Sequence, residues 1–159
     1  MFTLFENNLA FLIFLHVLSA VIWVGGMIAI RFAIHYSMQG IQEPKIRLER
    51  TLENLKRFFN MVIPTILILL ITAIIMILIL GFKGTNLYSV VIAKEIIWTV
   101  MSIVFITIYV KRNKAQKLFE EGDFTGCKKQ LLPIAKYFIP LNIFLGLIAI
   151  YLGVTLRGF

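Results

Sequence analysis

From Phe58 to Leu80 the chain reads FFNMVIPTILILLITAIIMILIL, a run without one charged side chain. It is longer than the ~20 residues an α-helix needs to cross ~30 Å of hydrocarbon at ~1.5 Å per residue. A strand reading fails because the run shows no period-2 alternation. An open sheet would also leave its edge N–H and C=O groups unsatisfied in lipid. Three further apolar runs of similar length stand about Asn8 to Tyr36, Tyr88 to Val110 and Pro133 to Leu156. The reading is an all-α integral membrane four-helix bundle, one domain over residues 1–159.

Composition agrees. The chain is 60% hydrophobic and 15% charged, with a mean hydropathy of +0.91, too little charge to cover a soluble surface of this size. The net charge of +8 does not point to nucleic acid. No basic stretch outside a span is interleaved with aromatics, and excess Lys and Arg in a membrane protein face anionic headgroups. A single cysteine, Cys127, excludes an internal disulfide and a Cys-based zinc cluster. It lies in a basic loop, as expected of the reducing cytoplasm. The N-terminus has no basic n-region, and its apolar run is too long for a cleavable signal peptide.

Charge sets direction. Lys45, Arg47, Arg50, Lys56 and Arg57 follow the first span, and Lys111, Arg112, Lys114, Lys117, Lys128 and Lys129 follow the third. Only Lys83 and Arg157 lie on the other side, eleven against two. Both charged loops are thus expected in the cytoplasm, with an N-out/C-out bundle. In a bacterium this is the cytoplasmic (inner) membrane, with both termini periplasmic. Gly81 to Asn86 reads as a short turn that makes spans two and three an antiparallel hairpin. Pro133 suits the first position of helix four, and Pro64 and Pro140 are expected to kink spans two and four. Both charged loops are expected to extend the helices as amphipathic segments; Leu48, Leu52 and Leu55 recur at helical spacing between Lys45 and Arg57, as in a helix lying among headgroups or, alternatively, a docking face for a partner.

The chemistry rests on ionisable groups inside the spans, each costing at least ~2.5–3.5 kcal/mol at a helix centre. Foremost among them are His16, Arg31, Lys94 and Glu95. Helical spacing puts Ser19, Ala20, Trp23, Met27 and Ile30 on the face of His16, which is expected to line a cavity. Gly25, Ala29 and Ala33 point the opposite way and read as a packing seam. Gly26 lies near the His16 face, about 80° off at ~100° per residue, where it could relieve crowding. Lys94 carries Trp98, Met101 and Phe105 on its face and is read either as snorkelling or as a cation for an anionic ligand. Arg31 is read as snorkelling to phosphate. His35 lies 19 positions from His16, ~28 Å along a helix, so the two cannot share one metal. Met76 falls near the depth of His16 and Lys94 and offers a thioether as second ligand. Asn142, Gly146, Ala149 and Gly153 share a face of span four that reads as close helix packing or as room for a flat ring.

His16, Trp23 and Gly26 stand as His-x6-Trp-x2-Gly in the first span, and Lys94 opens the third. With four spans and both charged loops inside, the chain resembles the superfamily that joins CopD-like copper-resistance membrane proteins and HemJ-type protoporphyrinogen oxidases. In the HemJ-type family the first-span His is implicated in binding b-type haem, and the third-span Lys is a functional position. The resemblance carries those roles to His16 and Lys94. Arg31 and His35 stand near the family's Arg and second His but out of register.

Three functions are in contention. The first is a haem b protein for electron transfer or porphyrinogen oxidation, with His16 on iron, Trp23, Gly26 and Trp98 bordering the ring, Lys94 on a propionate and Met76 as a possible second ligand. The second is copper transport or homeostasis through His16, Met27, Met76 and Met101. The third is an accessory subunit of a membrane respiratory complex, with no chemistry of its own. The partners expected besides lipid are a second copy of the chain, in a homo-oligomer, or a respiratory complex. No nucleotide loop, catalytic triad or zincin motif is present.

Overall fold

The computed structural model describes residues 8–156. Four long apolar helices carry the fold: α1 (Leu9–Gln39), α2 (Pro44–Leu80), α3 (Tyr88–Glu120) and α4 (Phe124–Thr155). No strand occurs among the described residues. α1 packs along α2 and α3 along α4; contacts between α2 and α3 and between α1 and α4 close the ring. The charged loops share one end of the bundle, termed the basic end. The turn after α2, the start of α1 and the end of α4 share the other, the terminal end. Arg157 lies outside the described residues. The turn begins at Gly81, whose φ of 59° ends α2 in a left-handed conformation that glycine adopts without a Cβ penalty.

Large apolar side chains such as Phe14, Ile71, Leu78, Ile103 and Phe144 point outward and are each at least half exposed. A surface of that kind is solvated by lipid, and the chain is a multi-pass membrane protein. Inside, the core is organised around Phe105. The Trp23 ring meets it edge-on at 6.2 Å and the Phe59 ring at 5.4 Å, contacts worth ~0.5–1.5 kcal/mol each beyond area burial.

Several sequence expectations change here. The small row Gly25, Ala29, Ala33 is not a seam: Ala29 and Ala33 are exposed, and a Cβ on Gly25 would meet nothing within 4 Å. A corner helix of a four-helix ring contacts its neighbours through adjoining sectors, so the sector opposite the core faces lipid. The close-packing glycine of α1 is Gly26, where a Cβ would come 2.6 Å from the Phe58 ring. The row on α4 does pack closely, since a Cβ on Gly146 would meet Val24 Cγ2 at 2.6 Å. Lys45 to Arg57 extends the second span as expected and forms no separate surface helix. It is the first third of α2, which at 37 residues is ~55 Å long against ~30 Å of hydrocarbon. Its Leu52 and Leu55 are buried in one cluster with Ala115 of α3 and Cys127 and Leu131 of α4, so the bundle core continues past the basic end of the spans. Buried Arg112 locks this extension by donating to the Leu52 carbonyl from Nε at 3.3 Å and Nη2 at 3.0 Å.

Pro133 also behaves differently. α4 starts at Phe124, where the Asp123 carboxylate accepts from the Gly126 N–H at 2.8 Å, so Pro133 stands inside the helix and not at its start. A π-helical stretch, Ile134–Phe138, follows it and leads into Pro140. The widened turn moves away the carbonyl that the Pro140 ring would otherwise strike. α2 runs through Pro64 as one helix.

Candidate functional site

His16 stands about two turns in from the start of α1, and Thr72 about two turns in from the end of α2. Because the two helices are antiparallel neighbours, these positions meet. His16 Nδ1 is 2.9 Å from Thr72 Oγ1. The threonine hydroxyl has its own acceptors on α2, the Ile68 carbonyl at 2.7 Å and the Leu69 carbonyl at 3.1 Å. With that proton given to the backbone, Thr72 Oγ1 accepts from the ring. This geometry favours the Nδ1–H tautomer of His16, with the lone pair on Nε2. A ring nitrogen fixed in this way through the other nitrogen's hydrogen bond is the arrangement of a metal-ligating histidine.

Lys94 enters from α3, under two turns from the helix start at Tyr88 and so at a depth similar to that of His16. Its ammonium rests over α4 at Gly153, where a Cβ would come 3.0 Å from Nζ. The lysine is half-buried and turned into the bundle, not laid out along its surface. Among the described residues it has no carboxylate partner; both ion pairs lie at the basic end, between Glu53 and the arginines Arg50 and Arg57. Neighbouring Glu95 is exposed. The four helices thus contribute one element each: an oriented imidazole, the hydroxyl that orients it, a cation, and a glycine that makes room for the cation.

The other candidates fall into two groups. Met76 is half-buried one turn from Thr72 toward the terminal end, and Trp98 is half-buried one turn from Lys94 toward the basic end, its Nε1 without a hydrogen-bond partner. Both belong to the neighbourhood of the cluster. Trp23 and Gly26 do not. They lie ~10 Å and ~15 Å further along α1 than His16, and their faces are filled by the Phe105 and Phe58 rings. The His16 face of α1 is thus packed core, not cavity wall, from Trp23 to Met27. Met27 and Met101 are likewise buried core side chains. Arg31 is half-buried, with its guanidinium over the Phe32 ring at 5.7 Å. His35 is distant, bonded to Gln39 at 3.2 Å, and borders a cavity of about 50 Å³ between Met38, Asn54 and Leu131 near the basic end.

Among the described residues no three His, Cys, Asp or Glu side chains gather to hold a metal ion. In the sequence Thr72 is one hydroxyl in an apolar run and Gly153 one member of a small-residue row; inter-helix register brings them to His16 and Lys94. Comparison with protein-family models, with curated proteins and with solved structures returns no match.

Proposed function

We propose that the chain is a haem b-binding protein of the cytoplasmic membrane, serving electron transfer or porphyrinogen oxidation, with His16 as axial ligand. The observation that carries this reading is the Thr72 hydrogen bond, which leaves His16 Nε2 as a lone-pair nitrogen inside the bundle. The donor set discriminates between metals. A bare copper or zinc ion needs three or four protein ligands, whereas haem brings four nitrogens of its own and needs one histidine. One imidazole with one thioether nearby, Met76, fits the second case.

Haem held there would supply reversible one-electron chemistry at iron. His16 would hold it through Nε2, and Thr72 would keep the imidazole from turning. Lys94, whose buried charge lacks a partner among the described residues, would meet a propionate, each charge offsetting the other's desolvation. Trp98 supplies an indole beside that lysine. Trp23 and Gly26 support the helix that carries His16 and do not border the ring.

Wild-type protein purified from cells supplied with haem should show a Soret band. His16→Ala should lose it, and His35→Ala should keep it. A colourless wild type would overturn the haem reading. Copper bound to that colourless protein would favour metal transport, and neither cofactor would favour an accessory subunit of a respiratory complex or a homo-oligomer.

The orientation that accompanies this reading is N-out/C-out, with the basic end in the cytoplasm. Cys127 is fully buried and a poor reporter of sidedness. In a Cys127→Ala background, exposed Lys129→Cys should label in intact cells only with a reagent that crosses the membrane, and Lys83→Cys with one that does not. The reverse pattern would invert the topology.

A further inference from the structure

Toward the middle of the bundle from the His16–Lys94 cluster, four buried side-chain atoms have no hydrogen-bond partner among the described residues: Trp23 Nε1, Trp98 Nε1, Ser102 Oγ and Asn142 Oδ1. They come from three helices yet share one level. Asn142 is fully buried, and its Nδ2 donates to the Met101 carbonyl at 3.1 Å. Because a carbonyl can only accept, that bond fixes the amide with its nitrogen on Met101 and leaves Oδ1 beside it at the seam of α3 and α4. Ser102 follows Met101, and Trp98 stands one turn before Ser102 on the same face of α3. Trp23 arrives from α1 at the same depth, since its neighbour Val24 fills the space over Gly146, one turn from Asn142. The four positions thus span about one helical turn, roughly 5–6 Å of depth.

Their chemistry is complementary. An indole N–H only donates, an amide oxygen only accepts, and a serine hydroxyl does both. Buried polar atoms in proteins are paired as a rule, by protein or by ordered water. Here the protein itself does not pair them. An ion of either sign would meet groups of the wrong polarity, and an apolar ligand would leave all four open. Water accepts from two donors and donates to two acceptors, and an internal water commonly makes ~3 such bonds. We propose that Trp23, Trp98, Ser102 and Asn142 bind buried water at mid-depth in the bundle, a polar floor beneath the His16–Lys94 cluster. The proposal stands on hydrogen-bond complementarity and is independent of what His16 binds.

The chain has only two tryptophans, so nitrogen-15 labelling of tryptophan yields two indole N–H signals, assigned by Trp23→Phe and Trp98→Phe. In lipid nanodiscs both indole protons should show cross-peaks to long-lived water. Asn142→Leu, similar in size but unable to accept, should at least halve those cross-peaks, and Ser102→Ala provides the same comparison if the leucine variant does not fold. Cross-peaks to acyl chains in place of water at either indole would overturn the proposal. So would water contacts that stay unchanged in whichever variants fold.

Discussion

Arg112 at the basic end and Lys94 near the terminal end are both cations drawn into the bundle, yet their surroundings differ. Arg112 donates four hydrogen bonds, two to the Leu52 carbonyl and one each to Asn113 and Gln116, and Gln116 in turn donates to Glu120 at 2.8 Å. Its burial is repaid within the fold, and the result is a clamp between α2 and α3. Lys94 has a glycine beneath it and a histidine nearby, with no carboxylate among the described residues. The same contrast holds for aromatic rings: Phe58, Phe59 and Phe105 interlock in the middle and toward the basic end, whereas the His16 ring is held by polar contacts to α2, Thr72 Oγ1 foremost. A structural polar group finds its partners inside the chain. A group kept buried without them is where a ligand is to be sought.

The largest effect expected from this contrast concerns Thr72. Thr72→Val keeps the shape of the side chain and removes the acceptor that fixes His16. Loss of the partner that orients a metal-ligating histidine weakens cofactor binding by ~10–100-fold. Haem titration of the purified variant should show that loss, with thermal unfolding of the haem-free protein nearly unchanged. Equal haem affinity in wild type and Thr72→Val would remove Thr72 from the site and leave His16 unoriented. A large drop in haem-free stability would move the His16–Thr72 bond to the structural side of the comparison.

How much of this was legible beforehand follows from which interactions are local. The four helices were readable because an apolar run must satisfy its backbone in lipid whatever its neighbours do. His16 and Lys94 were readable because an ionisable group in hydrocarbon is costly by itself. The Thr72 hydrogen bond was not, since Thr72 looks like any hydroxyl in an apolar run until α1 and α2 are set in register. The amphipathic stretch around Leu52 and Leu55 was readable as an extension of the helix, but not what it packs on: its partner surface, Ala115, Cys127 and Leu131, is spread over two other segments. The face of α1 was assigned correctly by helical spacing, with Ser19, Trp23 and Met27 all buried. What fills that face depended on Phe58 and Phe105, which spacing along α1 cannot reveal.

The two glycines Gly26 and Gly153 sharpen the comparison through a difference in sign. Replacing a mid-helix glycine by alanine ordinarily stabilises by roughly 0.5–1 kcal/mol, because alanine loses less backbone entropy on folding. At Gly26 the new methyl would stand 2.6 Å from Cε2 of the Phe58 ring, a side chain itself wedged in the core. Overpacking of this kind costs ~1–3 kcal/mol, which outweighs the entropy gain, so Gly26→Ala should unfold at lower temperature than wild type. At Gly153 the nearest atom is Lys94 Nζ at 3.0 Å, the far end of a flexible side chain that yields by a few tenths of an ångström. Gly153→Ala should therefore match or slightly exceed wild type in stability, within ~0.5 kcal/mol of it. Its effect should appear in binding instead, as a several-fold weaker haem affinity, because the displaced ammonium no longer meets its partner at the wild-type position. Thermal unfolding and haem titration of the two variants side by side provide the test. A destabilised Gly153→Ala would make the Lys94 contact part of the packing. Unchanged haem affinity in a stable Gly153→Ala would separate Lys94 from the haem site proposed at His16.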